Sequence, residues 1–238
     1  MLEVINQGLE TSVQDYPGRV GYLNQGFPPS GPMDSWSFRL ANLLVNNDES
    51  EGALECQYTG PTLKFEKDQV VAICGADMQP KVNGKSVPMW ESILIKADQT
   101  LELGFSLNGA RSYISFAGGI ESKPWLGSKS TFHKAGVGGI DGHAIKKGQK
   151  ISIGQSATRP GRKVREDCIP NIHNSGVWEI EVVRGPNDDW LDDNGYEIFL
   201  NAEWKLQARS DRTGFRLDGP TLTFNEKATN KSPEHGYE

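Results

Sequence analysis

The chain lacks three features that would place it in a broad functional class. It has no excess of positive charge, because 25 Lys and Arg stand against 31 Asp and Glu, for a formal net charge of −6. A basic surface typical of proteins that bind nucleic acids or anionic membranes is therefore not expected. No apolar run reaches the roughly 18–20 residues that span a bilayer. The first residues show no basic segment followed by an apolar run, so we expect no signal peptide and a cytoplasmic location.

Common catalytic and metal-binding patterns are also missing. Cys56, Cys74 and Cys168 are scattered along the chain, which predicts reduced, buried thiols in a cytosolic protein. The four histidines lack the ligand spacing that would predict a metal site. No Gly-x-Ser-x-Gly elbow occurs, so covalent hydrolase chemistry of that kind is not predicted.

What the chain has in abundance is turn chemistry. Its 27 Gly and 13 Pro, together with many short apolar runs, favour a mainly β architecture. One helix interrupts this pattern: Asp34 and Ser35 are good N-cap residues, and Phe38, Ala41 and Val45 follow at helical spacing. We therefore predict short strands throughout, with a helix that ends near residues 46–47.

An internal repeat indicates a duplicated module. Residues 60–65 (GPTLKF) recur as residues 219–224 (GPTLTF), and residues 2–8 resemble residues 180–186. Two pairs of similar segments in the same order predict one module that occurs twice. We expect a first domain over 1–155, a linker over 156–176 and the start of a second domain over 177–238. Because the chain ends soon after the second copy, we expect the second module to be cut short.

Two glycine-rich segments resemble phosphate-binding loops but have simpler interpretations. Asn83-Gly84-Lys85-Ser86 lacks the Gly that a P-loop needs five residues before its Gly-Lys, where this chain has Gln79. An Asn-Gly hairpin turn is the favoured interpretation. The loop 136–142 has free amides that could cradle an anion. No clear helix follows it, and a structural turn is favoured.

Polar residues on stiff backbone cluster near the N-terminus, in residues 14–19 (QDYPGR) and 28–34 (PPSGPMD), followed by Arg39 and Asn42. Such loops suit a binding site for a small polar ligand. The alternative is structural: Asp15 and Arg19 pair across a turn, and Asp34 caps the helix. A second polar group, residues 210–216 (SDRTGFR), precedes the second copy of the repeat. Its Arg212 could present a planar fork of donors to a ligand.

Taken together, these motifs resemble a known family. The matching segments, in order, are residues 14–19, 28–47, 54–61, 74–78 (CGADM), 117–120 (AGGI), 126–131 (LGSKST) and 211–217 (DRTGFRL). They are similar to the biotin-dependent carboxyltransferase family, which includes allophanate hydrolase subunit 2, the 5-oxoprolinase C subunit and the KipA sporulation regulator. Segments 14–19 and 28–34 are most similar to the carboxyltransferase region of urea carboxylase (urea amidolyase).

The resemblance implies a fold, a reaction and partners. The implied fold is mainly β, with two cyclophilin-like β-barrel subdomains and a few short helices, the second subdomain being incomplete. The implied reaction is transfer of a carboxyl group from carboxybiotin to urea, which gives allophanate. No methionine in the chain precedes a lysine, so biotin is expected on a partner domain, and ATP is expected to be used by a partner. The implied partners are biotin carboxylase and biotin carrier domains and an allophanate hydrolase subunit 1-like (KipI-like) protein.

The resemblance and side-chain type together nominate site residues. We predict Asp15 and Asp34 as catalytic, with substrate bound by four further residues: Arg19, Ser30, Asn42 and Arg212. Three functions stay open at this point: the urea reaction, the role of the C subunit in ATP-dependent 5-oxoprolinase, and non-catalytic regulation of a sensor kinase as in KipA. Prolyl isomerase activity is disfavoured, since a cyclophilin-like fold does not carry function by itself.

Overall fold

The protein consists of two units, Met1–Gly176 and Val177–Glu238, in a computed structural model. The structure describes residues 1–172, 176–179, 181–185, 187 and 189–229. The mainly β architecture with few helices is confirmed. In the described part of the chain, every helix is too short to cross a bilayer, and the longest has ten residues.

Eleven short strands build the first unit as two antiparallel sheets. The strands are β1 (Leu2–Asn6), β2 (Glu10–Gln14), β3 (Ala53–Gln57), β4 (Thr62–Phe65), β5 (Gln69–Asp77), β6 (Lys81–Val82), β7 (Lys85–Ser86), β8 (Ser92–Ile95), β9 (Thr100–Glu102), β10 (Asn108–Phe116) and β11 (Lys150–Ile151). One sheet has the order β11-β1-β4-β9-β6-β7, and the other has the order β2-β3-β10-β5-β8. Among the described residues, the first and last strands of each sheet do not pair with each other. The sheets are therefore open and do not close into the barrels that the resemblance implied.

Strand β5, an interior strand of the five-stranded sheet, is buried on both of its faces. Val71 and Ile73 belong to the core between the two sheets. Val70, Ala72 and Cys74 belong to a second core, which the five-stranded sheet shares with helix α1 (Ser35–Leu44). Since successive side chains in a strand point to opposite faces, a strand covered on both sides requires a continuous apolar run, which this segment provides.

Helix α1 confirms the predicted helix. Asp34 is its N-cap, and a carboxylate oxygen of Asp34 accepts a hydrogen bond from the Ser37 amide at 3.0 Å, which satisfies one of the free donors of the first turn. Phe38 and Ala41 are fully buried against the five-stranded sheet. The predicted Asn-Gly hairpin is also confirmed, since β6 and β7 pair across Asn83, with φ 48°, and Gly84, with φ 77°.

The segment expected as a linker, residues 156–176, contacts the five-stranded sheet along part of its length. The Gly161 amide donates to the Ser92 carbonyl and the Ser92 amide donates to the Arg162 carbonyl, both at 2.8 Å. The Val164 amide donates to the Trp90 carbonyl at 2.9 Å. These bonds cover part of the edge presented by β8.

The second unit contains little regular structure among its described residues. Its elements are α2 (Asp193–Asn201), β12 (Lys205–Leu206), β13 (Leu217–Asp218) and α3 (Glu226–Thr229). Strands β12 and β13 pair with each other in an isolated two-stranded sheet. Among the described residues of this unit, Gly195 and Ala228 are the buried ones. The part of the second unit that is described therefore has almost no apolar core.

The two copies of the sequence repeat have different local structures. In the first copy, β4 pairs with β1 and β9, and Leu63 and Phe65 are buried. In the second copy, residues 221–224 do not form the strand that a repeat of the first module would give: an isolated bridge joins Leu191 to Phe224, and Phe224 is 45% exposed. The other repeated segment, residues 180–186, includes residues 180 and 186, which lie outside the described residues.

These differences in burial predict unequal local stability within the chain. Backbone amides of β5 and β10 are expected to exchange with solvent far more slowly than those of β12, β13 and α2, because buried, paired strands open only with the whole core. Hydrogen exchange of the 238-residue chain, followed by mass spectrometry, measures this directly. Equal protection in residues 1–154 and 177–229 would contradict the prediction.

Candidate functional site

The two polar segments near the N-terminus lie against each other, backbone to backbone. Residues 14–19 follow β2, residues 28–34 precede α1, and the Arg19 amide donates to the Pro29 carbonyl at 2.6 Å. Gly18 has φ 91°, and a side chain there would bring a Cβ atom to 2.4 Å from the Pro29 carbonyl oxygen. Glycine is therefore required at this contact.

The Asp15 carboxylate is buried and saturated with hydrogen bonds. One oxygen accepts from the Ser128 hydroxyl at 2.6 Å and from the amide and hydroxyl of Ser130 at 3.2 and 2.5 Å. The other oxygen accepts from the Lys129 amide at 2.6 Å. Two segments that carry the family resemblance, 14–19 and 126–131, are thus joined through one side chain.

Arg19 joins the same two segments. Its side chain is fully buried, Nη2 donates to the Ser130 carbonyl at 2.9 Å, and the guanidinium lies 4.7 Å from the centre of the Trp125 ring. Burial lowers the pKa of the guanidinium, and the nearby Asp15 carboxylate opposes this shift. Nη1 has no hydrogen-bond acceptor within the described residues. The structure thus places Asp15 and Arg19 together, in an interior position.

Asp34 and Asn42 both have structural contacts around α1. Asp34 caps the helix, and its second carboxylate oxygen accepts from the Ser37 hydroxyl at 2.5 Å. Asn42 is buried, and its amide nitrogen donates to the Glu51 carbonyl at 2.8 Å. Helix α1 is consequently fixed at its start and along its length by residues that were predicted as site residues.

The remaining two predicted residues differ in setting. Ser30 is half-buried with a left-handed φ of 57°, and its hydroxyl makes no hydrogen bond within the described residues. Arg212 belongs to the second unit, in a turn closed by a bridge between Asp211 and Gly214. Direct substrate contact by Ser30 and Arg212 stays a prediction.

Sequence reasoning missed the pair that anchors the 28–34 loop. Glu55 is 4% exposed, and one of its carboxylate oxygens accepts from the Met33 amide at 2.8 Å and from the Tyr113 hydroxyl at 3.0 Å. The Tyr113 hydroxyl oxygen accepts in turn from the Asp34 amide at 2.7 Å. Burial, followed by the adjacent Glu55 charge, raises the pKa of Tyr113 well above its usual value. A lone Glu inside the apolar run of β3 was the available signal.

A cavity of about 540 Å³ opens beside the end of β5. Its volume is within the range typical of small-molecule sites. Apolar side chains from five positions form part of the wall, and the polar and aromatic lining residues are Asp77, Gln79, Lys81, Ser86, Trp90 and Asn108. All of these belong to the first unit.

Several polar groups in this lining are available for a ligand. One Asp77 oxygen accepts from the Gln79 amide at 2.8 Å. The other Asp77 oxygen, the Lys81 ammonium and the Asn108 side-chain amide have no hydrogen-bond partner in the described parts of the chain. Sequence reasoning singled out none of these side chains, although Asp77 lies in the segment 74–78 that carried the resemblance.

The backbone around the cavity adopts unusual conformations. Trp90 and Gln79 have left-handed φ values of 60° and 51°, which bulky residues rarely adopt. Gly75 has φ 100°, and a Cβ atom there would lie 2.5 Å from the Arg111 carbonyl oxygen. Backbone strain of this kind concentrates at functional sites, which makes the cavity a second candidate beside the N-terminal loops.

Comparison with known proteins gives consistent matches. The family described as carboxyltransferase domain, subdomain A and B, matches residues 25–237. Urea amidolyase of Saccharomyces cerevisiae is 37% identical over 226 residues, covering 92% of this chain and 12% of that protein. The C subunit of 5-oxoprolinase from Escherichia coli is 34% identical over 224 residues, covering 93% of this chain and 70% of that protein.

A solved structure agrees with these sequence matches. The crystal structure of Kluyveromyces lactis urea carboxylase superposes with a TM-score of 0.85 at 36% identity, covering 94% of this chain and 21% of that chain. The chain therefore spans about an eighth of the yeast urea amidolyase and about a fifth of the solved urea carboxylase. The family match over most of the chain, supported by the superposition, shows that the chain belongs to the carboxyltransferase domain family, subdomains A and B.

Proposed function

We propose that this chain is the carboxyltransferase component of a biotin-dependent urea carboxylase-type enzyme, which transfers a carboxyl group from carboxybiotin to urea to give allophanate. The observation that carries the proposal is the 0.85 TM-score with urea carboxylase over 94% of the chain. Because the chain spans only part of such proteins, biotin carboxylase and biotin carrier domains are proposed as partners, with ATP used there. An allophanate hydrolase subunit 1-like protein is proposed as a further partner.

The chemistry sets requirements that can be compared with the residues present. A neutral urea nitrogen is a weak nucleophile, so a base must take its proton, and donors must stabilise the charge that develops on the ureido oxygen of biotin. Carboxybiotin, when bound, would supply the carboxyl group and leave as biotin. The cavity fits the group in size, and Lys81 and Asn108 offer N–H donors that suit a ureido oxygen.

The predicted site residues divide by their contacts. We propose that Asp15, Arg19, Asp34 and Asn42 position the 28–34 and 125–131 loops, because the carboxylates of both acids are occupied by protein donors. Ser30 and Arg212 are retained as proposed substrate contacts. A direct role for Asp15 in proton transfer would require it to release hydrogen bonds that hold two loops together.

A second candidate function is that of the C subunit of ATP-dependent 5-oxoprolinase. The observation that favours it is coverage: the chain matches 70% of the length of the E. coli protein at 34% identity. Both candidates use the same family domain, so they differ in the substrate that the complete assembly turns over.

Turnover by the complete assembly tests the proposed function. The chain, within its parent protein or combined with its biotin carboxylase and biotin carrier partners, is expected to fix labelled bicarbonate into allophanate only when urea and ATP are present. ATP hydrolysis that depends on 5-oxoproline instead would establish the second candidate. Lack of turnover with either substrate in an assembly that carboxylates its own biotin would contradict both.

The variant Asp15→Asn tests whether Asp15 positions the loops or takes part directly in proton transfer. In Asp15→Asn, the amide nitrogen cannot accept hydrogen bonds as the carboxylate oxygen does, so a donor on the 128–130 segment is left unpaired. We expect a loss of about 1–3 kcal/mol in the free energy of unfolding, measured by guanidinium chloride denaturation with an unchanged slope.

Asp48→Asn is the matched control, because Asp48 is exposed and its carboxylate makes no hydrogen bond within the described residues. This variant is expected to match the wild-type protein within about 0.5 kcal/mol. Wild-type stability of Asp15→Asn combined with lost urea carboxylation would instead place Asp15 in the chemistry itself.

A further inference from the structure

The cavity beside β5 has a lining with a balanced charge. Asp77 contributes one negative charge and Lys81 one positive charge, and the other polar lining residues are neutral. An anionic ligand such as a phosphate would meet the Asp77 carboxylate without a surplus of cations to offset the repulsion. The lining therefore suits a neutral polar ligand.

The unpaired donors and acceptors in this cavity complement the hydrogen-bonding groups of a ureido group. The free Asp77 oxygen is an acceptor, the Lys81 ammonium is a donor, and the Asn108 side chain is both. A ureido group presents N–H donors beside a carbonyl acceptor in one plane. It can therefore donate to Asp77 while it accepts from Lys81 or Asn108.

The apolar part of the wall fits a flat ligand larger than urea. Trp90, which has a left-handed φ of 60°, lines the cavity together with Met89, and planar groups stack favourably on aromatic rings. Urea is a very small molecule and would occupy only a small part of about 540 Å³. The remaining volume has room for a fused bicyclic ring.

We propose that this cavity is a ureido-binding site in which Asp77, Lys81 and Asn108 recognise the ureido group against the surface of Trp90. The choice of ligand rests on the proposed function, which supplies two sources of this group: free urea and the ureido ring of biotin. The site lies outside the N-terminal loops, where Asp15 and Asp34 are occupied by protein donors.

Binding to the isolated 238-residue chain tests the site without any turnover. In two-dimensional ¹H–¹⁵N NMR spectra, the Trp90 indole signal, identified by its absence in Trp90→Phe, and the Asn108 side-chain amide are followed during titration. Urea at millimolar concentrations and biotinamide are added in separate experiments. We expect saturable shifts of both signals, and the ligand that produces them identifies the source of the ureido group. If neither ligand shifts these signals, the proposal is overturned.

Variants test which side chains recognise the ligand. We expect Lys81→Gln and Asp77→Asn each to weaken ligand binding about tenfold or more, as for the loss of a hydrogen bond to a charged group. The Asp77→Asn side chain retains one oxygen that can accept from the Gln79 amide. Lys85→Gln is the matched control, because Lys85 is an exposed residue on the neighbouring strand of the same hairpin. Equal affinity of Lys81→Gln and Lys85→Gln would contradict the assignment, and Asn108→Ala provides a second, independent test.

The outcome for the site and the outcome for the proposed function can be told apart. Saturable binding of biotinamide or urea, in an assembly that does not carboxylate urea, would support the proposed ureido site and contradict the proposed reaction. The opposite outcome is urea carboxylation in which Lys81→Gln and Asn108→Ala both leave the KM for urea and kcat unchanged. It would support the proposed reaction and contradict the proposed site.

Discussion

The constraint on which the first unit depends is that its central strands are covered on both faces. Along β5 and β10, alternate side chains enter the core between the sheets and the core beneath α1. Each fully buried Val, Ile or Phe side chain contributes roughly 1.5–3 kcal/mol relative to exposure. An unpaired polar group in the middle of these strands would cost a comparable amount. Inside the strands, buried polar groups such as Glu55 and Tyr113 bond to each other, so groups that are available to a ligand are expected at the strand ends and in the loops that follow them.

Gly75 shows how this constraint shapes the candidate site. Up to residue 74, the odd-numbered residues of β5 face the core between the sheets, but Ala76 and Met78 also belong to that core. The alternation thus shifts by one residue at Gly75, where φ is 100° and the pairing with β10 is irregular. As a consequence Asp77, which lies between two core residues, points away from the core and reaches the cavity. A side chain at position 75 would collide with the neighbouring strand, so glycine is part of how the cavity is built.

The repeated segment illustrates how far local sequence determines local structure. The first copy forms β4 because β1 and β9 lie on either side of it and pair with it. The second copy has nearly the same sequence, yet its β pairing among the described residues is limited to the isolated bridge from Phe224 to Leu191. A short segment with strand propensity becomes a strand when partner strands and a buried face are present. Self-similarity therefore identified related segments, but it did not predict that both would pair.

What the sequence predicted well depends on neighbouring residues, and what it missed depends on distant ones. The N-cap at Asp34 and the Asn-Gly hairpin are local features, and both are confirmed. The partners of Asp15 lie 113–115 residues away, so its occupied state could not be inferred from the turn in which it sits. Polar residues that hold loops in place and polar residues that bind ligands are of the same amino-acid types. They differ in whether their hydrogen-bonding capacity is already used, and only the folded arrangement of Asp15 and Asp77 reveals that difference.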